Sequence, residues 1–426
     1  MRAHWFGFRA QSGKFGGMTT SPIFIPRPGE RGSGPQGPRI QRDWKRELRV
    51  WWREVDRWLL FFILLLMLVG TLAVAAASPA SAGRLSTVSE TLPDLYFFWA
   101  HVRMQVLGLC VLIGTSLMPV TLLRRGSVVL AGLMLTALFL VPVIGTEVNG
   151  ARRWLNVGMS LQPSEFMKPA FAIAIAWILS WKMRDPKLPV IGISGAFVGL
   201  IVALLMLQPN LGGAILFVGT WFVMVMLAGL PLQRIGMLTG AGLAALMAAY
   251  VFYDNARNRI DSFLGGPTAY DHVDLAGRTL QGGGWTGSGF WLGQNKMRLP
   301  EAHTDYIFSV IGEEFGLLIC GVVVLLYLAI VLRVLVRLVE EDRLFIILAA
   351  SGLTAMFGGQ AFINILVNLQ LFPSKGMTLP LVSYGGSSTL AICFTVGLLL
   401  AVTRRNPYLE REPFDIKGSF EKDEEI

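Results

Sequence analysis

The run WLLFFILLLMLVGTLAVAAA (Trp58–Ala77) decides the fold class. It contains no charged side chain, and a helix of this length, rising 1.5 Å per residue, crosses the hydrocarbon core of a bilayer. Further apolar runs follow at roughly 102–122, 127–145, 165–181, 188–207, 211–229, 233–253, 306–332, 344–368 and 386–403. With 53% of its 426 residues hydrophobic and 15% charged, the chain has the composition of an integral membrane protein. The expected fold is an all-α polytopic membrane protein with about ten transmembrane helices. Ala80-Ser81-Ala82 resembles a signal-peptidase site, but the preceding region is too long for a signal peptide, so Trp58–Ala77 is an anchor.

An even number of spans puts both termini on one side. Arg124-Arg125, Lys182 with Arg184 and Lys187, Arg234, Arg333 with Arg337 and Arg343, and Arg404-Arg405 all fall on that side, which the positive-inside rule makes the cytoplasm. The opposite face carries loop 146–164, a large extracytoplasmic (periplasmic) loop 254–305 between helices 7 and 8, and loop 369–385. The expected domains are a disordered basic cytoplasmic tail (1–50), a ten-helix membrane domain (51–404) and an acidic cytoplasmic tail (405–426).

Residues 1–57 carry twelve Lys/Arg against five Asp/Glu, and residues 404–426 five against seven. Positive charge gathered before the first span suits a flank facing anionic lipid and argues against a nucleic-acid partner. The Gly, Pro and Arg of residues 1–40 cannot build a core, whereas Trp44, Trp51, Trp52 and Trp58 mark an amphipathic lead-in at the membrane surface. Cys110, Cys320 and Cys393 fall inside spans without metal-ligand spacing, as small buried apolar residues do. The glycines of 282–289 lack the strand and Lys-Ser/Thr of a P-loop and belong to turns.

Polar residues gather at the outward boundary. In Asn149-Gly150-Ala151-Arg152-Arg153-Trp154, two arginines sit against the inside bias of positive charge, either anchoring lipid headgroups or receiving a phosphate or pyrophosphate. Glu165 and Lys168 share a helix face three residues apart, as a structural pair or as part of a polar cavity. The stretch from Pro373 through Lys375 to Ser387-Ser388 has too many Pro and Gly for a straight helix, and irregular backbone at this depth must be buried or line a wet cavity. LPEAHTDYIF (Leu299–Phe308) brings His303 and Asp305 to the mouth of the next apolar run, where Thr304 or Asp305 could equally cap the helix. Glu313 and Glu314 begin about eight residues into that run, roughly 12 Å deeper at 1.5 Å per residue, and are assigned to packing or a buried pair.

These motifs carry a resemblance. Leu299–Phe308 with Gly312-Glu313-Glu314-Phe315-Gly316 resembles the signature of the SEDS family (shape, elongation, division and sporulation). Gly150–Trp154, Pro163-Ser164-Glu165 with Lys168, and Pro380–Ser388 are similar to its other motifs in the same order. The likeness covers about residues 55–405, and Pro373–Pro380 is closer to the division member than to the elongation member. Asn210 departs from the pattern, which has Asp after Gln-Pro.

The resemblance implies a peptidoglycan glycosyltransferase that polymerises lipid II in the bacterial cytoplasmic (inner) membrane at the division septum. It maps the family's essential loop aspartate onto Asp305, as catalytic base or as ligand of a divalent cation, Mg or Mn. Arg152, Arg153, Glu165, Lys168, His303, Lys375, Ser387 and Ser388 are the candidate substrate-binding residues. The implied partners are lipid II, a class B penicillin-binding protein transpeptidase (FtsI-like) and other divisome proteins (FtsQ-, FtsL-, FtsB- and FtsN-like). Two other functions fit the same spans: a transporter of the lipid precursor, which would place ionisable groups along a path through the midplane, and a scaffold without chemistry.

Overall fold

The computed structural model describes residues 44–405 apart from 87–90, 149–150, 157, 159, 184, 186, 265–271 and 375. Most of the tail expected at 1–50, and all of the acidic tail beyond Arg405, lies outside the described residues. The described residues from Leu48 to Arg405 belong to one compact unit; of the unit before it, Met1–Glu47, only Trp44–Glu47 is described.

The helices are α1 (Trp44–Glu54), α2 (Arg57–Leu85), α3 (Tyr96–Leu117), α4 (Val120–Ile144), α5 (Pro163–Ser180), α6 (Val190–Leu207), α7 (Leu211–Leu227), α8 (Leu232–Phe252), α9 (Asp254–Leu264), α10 (His272–Gly282), α11 (Ile307–Phe315), α12 (Leu317–Leu338), α13 (Leu344–Asn368) and α14 (Ser387–Val402). Among the described residues eight helices are long and apolar enough to cross a membrane, namely α2, α3, α4, α5, α6, α8, α12 and α13. The shorter apolar α7 and α14 complete the ten expected. This is a multi-pass helical membrane protein.

The centre is built from α2, α5, α13 and α14. α5 packs against α4, α7, α13 and α14, and α14 lies along α3. By contrast, no residue in the apolar window of α8 is buried. At the end of the bundle where the chain enters, Trp51 Nε1 donates to Ser116 Oγ at 3.0 Å. Asp56 then caps α2, its Oδ1 accepting from the amides of Trp58 and Leu59, both at 3.1 Å. Its Oδ2 accepts from Arg333 Nε at 2.7 Å and Arg337 Nε at 2.8 Å, which ties the entry of α2 to the last turns of α12.

The two longest loops expected on the outward face carry secondary structure of their own. Loop 146–164 forms a small antiparallel sheet of β1 (Thr146–Val148), β2 (Ala151–Asn156) and β3 (Ser160–Leu161) in the order β1-β2-β3. Loop 254–305 contains α9, α10 and a 3-10 turn at Asn295–Met297.

The apolar run at 306–332 is not one span. Gly316, at φ 86°, adopts a left-handed conformation that side chains disfavour, and it separates α11 from the membrane-spanning α12. The loop segment 284–289 pairs with this break: Ser288 N donates to Glu313 O at 2.8 Å, Gly289 N to Glu314 O at 3.1 Å and Leu317 N to Gly284 O at 3.0 Å. Glu313 and Glu314 therefore precede the span instead of lying inside it. Glu313 accepts from the amides of Asn295 and Lys296 at 2.6 and 2.9 Å. Glu314 accepts from Trp291 and Gly293 and pairs with the buried Lys296 ammonium. As expected of packing polarity or a buried pair, they pin the loop.

Candidate functional site

Asp305 sits on a tight turn. Glu301 O accepts from the amides of Thr304 at 3.0 Å and Tyr306 at 3.3 Å, which holds Glu301 at φ 52°, a conformation costly for a residue with a Cβ and common at functional sites. Three successive carbonyls are held from outside the turn. His303 O accepts from Tyr384 N at 3.0 Å, Thr304 O from Ser383 Oγ at 2.6 Å, and Asp305 O from Asn364 Nδ2 at 2.8 Å and Asn368 Nδ2 at 3.1 Å.

The half-buried Asp305 carboxyl is hydrogen-bonded to the Glu301 side chain. Burial first, then the Glu301 charge, push its pKa up to about 8; Arg153 pulls the other way and Glu165 adds to the rise. Across from it stands Arg153. A Cβ placed on Gly376 would lie 3.5 Å from Asp305 Oδ2 and 3.7 Å from Arg153 Nη1, so a glycine keeps open the space between carboxyl and guanidinium. A narrow cleft beside them is lined by Asp305, Tyr306, Asn364, Ser374, Gly376 and Met377, among others.

The sheet decides which arginine faces this cleft. Successive residues of a strand point to opposite faces. Arg152, opposite Glu147 in the β1–β2 register, pairs with that carboxylate at 3.2 Å in an exposed position. Arg153 turns inward, donating from Nε to Gln208 O at 3.0 Å and also to Pro209 O. The Gln208-Pro209-Asn210 turn thus anchors Arg153 through main-chain carbonyls. Asn210 caps α7, its Oδ1 accepting from Gly213 N at 3.0 Å, a role that needs no charge.

Glu165 and Lys168 belong to a closed ring. Lys168 Nζ donates to Glu165 Oε1 and to Gln360 Oε1, both at 2.7 Å. Gln360 Nε2 donates to Thr378 O at 2.9 Å, Thr378 Oγ1 lies 3.2 Å from Ser388 Oγ, and Ser388 Oγ donates to Glu165 Oε2 at 2.9 Å. Ser387 Oγ accepts from Gln162 N at 3.3 Å. A buried polar network of this kind is rigid when every member is satisfied, and the ring forms a wall next to Asp305.

His303 turns away from the cleft. Its ring packs 4.2 Å from Phe97 and 5.6 Å from Tyr384, centroid to centroid. Burial lowers its pKa to about 4, so it is uncharged at neutral pH. The structure thus gathers Asp305, Arg153, Glu165, Lys168 and Ser388 at one place, with Ser387 at the edge, and directs Arg152 and His303 elsewhere. Lys375 lies outside the described residues.

Two sets of residues escape a reading of the sequence. Arg259 on α9 donates from Nη1 to Ser374 O at 2.7 Å and lies close enough to Arg153 to repel it: burial first and Arg259 second lower the Arg153 pKa. No local pattern distinguishes Arg259 from its loop neighbours. Gln360, Asn364 and Asn368 did leave a signal, since amides four residues apart on an apolar span share one face and need partners when buried. Glu301 and Asp305 are the hard oxygen donors at the cleft. Among the described residues no group of three or more His, Cys, Asp or Glu side chains is arranged to hold a metal.

Known proteins are similar to this chain in sequence and fold. The family model described as cell cycle protein, covering FtsW, RodA and SpoVE, matches residues 57–408. A Caulobacter vibrioides protein named "Probable peptidoglycan glycosyltransferase FtsW" is 36% identical over 362 residues, covering 84% of this chain and 92% of its own. The protein of that name from Halorhodospira halophila is 34% identical over 388 residues, covering 87% and 93%. Among solved structures, a chain of a peptidoglycan synthase complex that coordinates polymerization and crosslinking is 28% identical, with a TM-score of 0.66 and coverage of 82% of this chain and 97% of that one. The rod shape determining protein RodA of Thermus thermophilus is also 28% identical, with a TM-score of 0.61 and coverage of 83% and 97%.

Proposed function

Because the chain belongs to the FtsW/RodA/SpoVE (SEDS) family, we propose that it is a peptidoglycan glycosyltransferase that polymerises lipid II into glycan strands for septal wall synthesis during division. One observation carries this at the level of the site: a carboxyl with a pKa near 8 faces an arginine across a gap kept open by a glycine. A general base works best with a pKa near the working pH. An arginine is suited to receive the pyrophosphate of a lipid-linked donor.

In this mechanism the donor pyrophosphate lies against Arg153 and Arg259, and Lys375 is a further candidate cation for it. Asp305 accepts the proton of the acceptor sugar hydroxyl as that oxygen bonds to the donor's anomeric carbon. The bond from that carbon to the pyrophosphate oxygen breaks, so a single displacement inverts the centre. Glu165, Lys168, Ser387 and Ser388 form the polar wall, and His303 packs the Asp305 turn against Phe97 and Tyr384.

The oxygens of Asp305 and Glu301 also suit a divalent cation, Mg or Mn, which takes one or two carboxylates together with substrate phosphates. Such an ion would stabilise charge on the departing pyrophosphate.

The alternative of lipid transport loses its main support in the protein interior, because Glu313 and Glu314 hold loop amides and Lys296 instead of lining a path.

A class B penicillin-binding protein transpeptidase is the proposed partner, supported by the similarity to a chain of a synthase complex. Contacts with FtsQ-, FtsL-, FtsB- and FtsN-like proteins, residence in the inner membrane at the septum, and termini on the cytoplasmic side complete the proposal.

The test is polymerisation of purified lipid II by the protein reconstituted with that transpeptidase, wild type against Asp305→Ala. Glycan from the wild type alone is expected. Equal glycan from both would remove Asp305 from the reaction.

A further inference from the structure

Gln360, Asn364 and Asn368 form a ladder of amides on one face of α13, with exposures of 3%, 2% and 0%. Burying an amide is costly unless it is hydrogen-bonded, and here the bonds go to the two segments that make the cleft. Gln360 Nε2 reaches Thr378 O at 2.9 Å. Asn364 Nδ2 donates twice, to Met377 O at 2.6 Å and to Asp305 O at 2.8 Å. Asn368 Nδ2 adds a second bond to Asp305 O at 3.1 Å, while its Oδ1 accepts from Ser309 N at 3.1 Å and Ser309 Oγ at 2.7 Å.

Met377 directly follows Gly376, which keeps the space between Asp305 and Arg153 open. One side-chain amide, that of Asn364, therefore joins the main chain of the reacting carboxylate to the main chain of the residue beside the gap.

We propose that Asn364 and Asn368 are positioning residues for glycosyl transfer: together they hold the Asp305 turn against the 376–378 segment and so set where the carboxylate stands relative to Arg153 and the cleft. This rests on the reading of Asp305 as the reacting carboxylate. Both act through Asp305; Asn364 also borders the cleft, whereas Asn368 is not among its lining residues, so a loss in Asn368→Asp reports positioning alone. An asparagine has only two rotatable side-chain bonds and a planar amide, so a pair anchored on a rigid helix fixes the turn closely. A displacement of about 1 Å at a reacting group is enough to cost on the order of 100-fold in rate.

The experiment uses the full chain reconstituted with its transpeptidase, purified lipid II as substrate, and four proteins: wild type, Asn364→Asp, Asn368→Asp and Asp305→Ala. Aspartate keeps the size of asparagine and removes the donor. In Asn368→Asp the retained oxygen still accepts from Ser309, while the bonds from Nδ2 to Asp305 O and to Asn364 are lost. The kinetic constants, the pH–rate profile and the unfolding temperature are measured for each.

The expected result is a fall in kcat of about 100-fold for Asn364→Asp and about tenfold or more for Asn368→Asp. KM should stay within about threefold, and the midpoint of the pH–rate profile should move as the carboxyl shifts relative to Arg153 and Glu301. With Asp305→Ala inactive, either of two results overturns the positioning role: wild-type kcat in both variants, or a loss confined to KM with an unmoved pH profile. A loss of activity matched in both variants by collapse of the unfolding temperature would assign the ladder to folding and overturn it too. Wild-type activity in Asp305→Ala would instead refute the reading of Asp305.

Discussion

Replacing Asp305 by asparagine is expected to abolish polymerisation and at the same time to stabilise the protein, by an amount that depends on pH. The folded surroundings raise this carboxyl from 3.8 to about 8, through burial first and the Glu301 charge second. Between those values the folded protein holds a proton that the unfolded chain releases, so stability falls as pH rises across that window. At about 1.4 kcal/mol per pH unit, the cost is capped at about 6 kcal/mol above pH 8. Asp305 is only half-buried, and solvent screening leaves about 2–3 kcal/mol of this. Asparagine keeps the hydrogen bond to Glu301 and never ionises, so it escapes the cost.

Thermal unfolding of the purified wild type and Asp305→Asn at pH 5 and pH 8.5 is the assay. The variant should melt several degrees higher at pH 8.5, at about 2 °C per kcal/mol for a chain of this size, and the gap should narrow at pH 5. A gap equal at both values, or a variant less stable at pH 8.5, would refute the argument that the site holds this carboxyl against its ionised form.

Arg153→Ala should raise KM for lipid II about tenfold or more, as expected for a charge-assisted contact worth about 1.5–3 kcal/mol, while Arg152→Ala should change it less than threefold because the exposed Arg152–Glu147 pair is worth about 0–1 kcal/mol; steady-state polymerisation checks both. Lys296→Met leaves Glu314 charged and buried, and unfolding experiments should show a loss of about 3–5 kcal/mol. Asp56→Ala removes a helix cap and the partner of two arginines, for about 2–4 kcal/mol. Although burial raises the Asp56 pKa, Arg333 and Arg337 bring it below 3.8, so this contribution is present above that value and should disappear in acid; unfolding at pH 3 and pH 7 tests it.

The sequence alone determined the membrane fold, the ten apolar helices, the family and the candidate Asp305. Burial of apolar side chains in lipid depends on run length and composition, which are local properties of the chain. The motif around Asp305 is likewise contiguous. The break at Gly316 was not readable that way. An apolar run that continues past a glycine looks like one span, and what splits it is pairing with a loop segment about thirty residues earlier in the chain.

Only the tertiary structure decided which charged groups meet. Arg152 and Arg153 are adjacent in sequence, yet the alternation of a strand sends one to Glu147 in solvent and the other to the cleft. Arg259 joins Arg153 from a helix about a hundred residues away, and the amides of α13 reach Asp305 O across about sixty. The raised pKa of Asp305 comes from burial and from Glu301, Arg153 and Glu165, brought together from three parts of the chain. Electrostatic and hydrogen-bonding environments depend on distances in space, and those exist only once the helices and loops have packed.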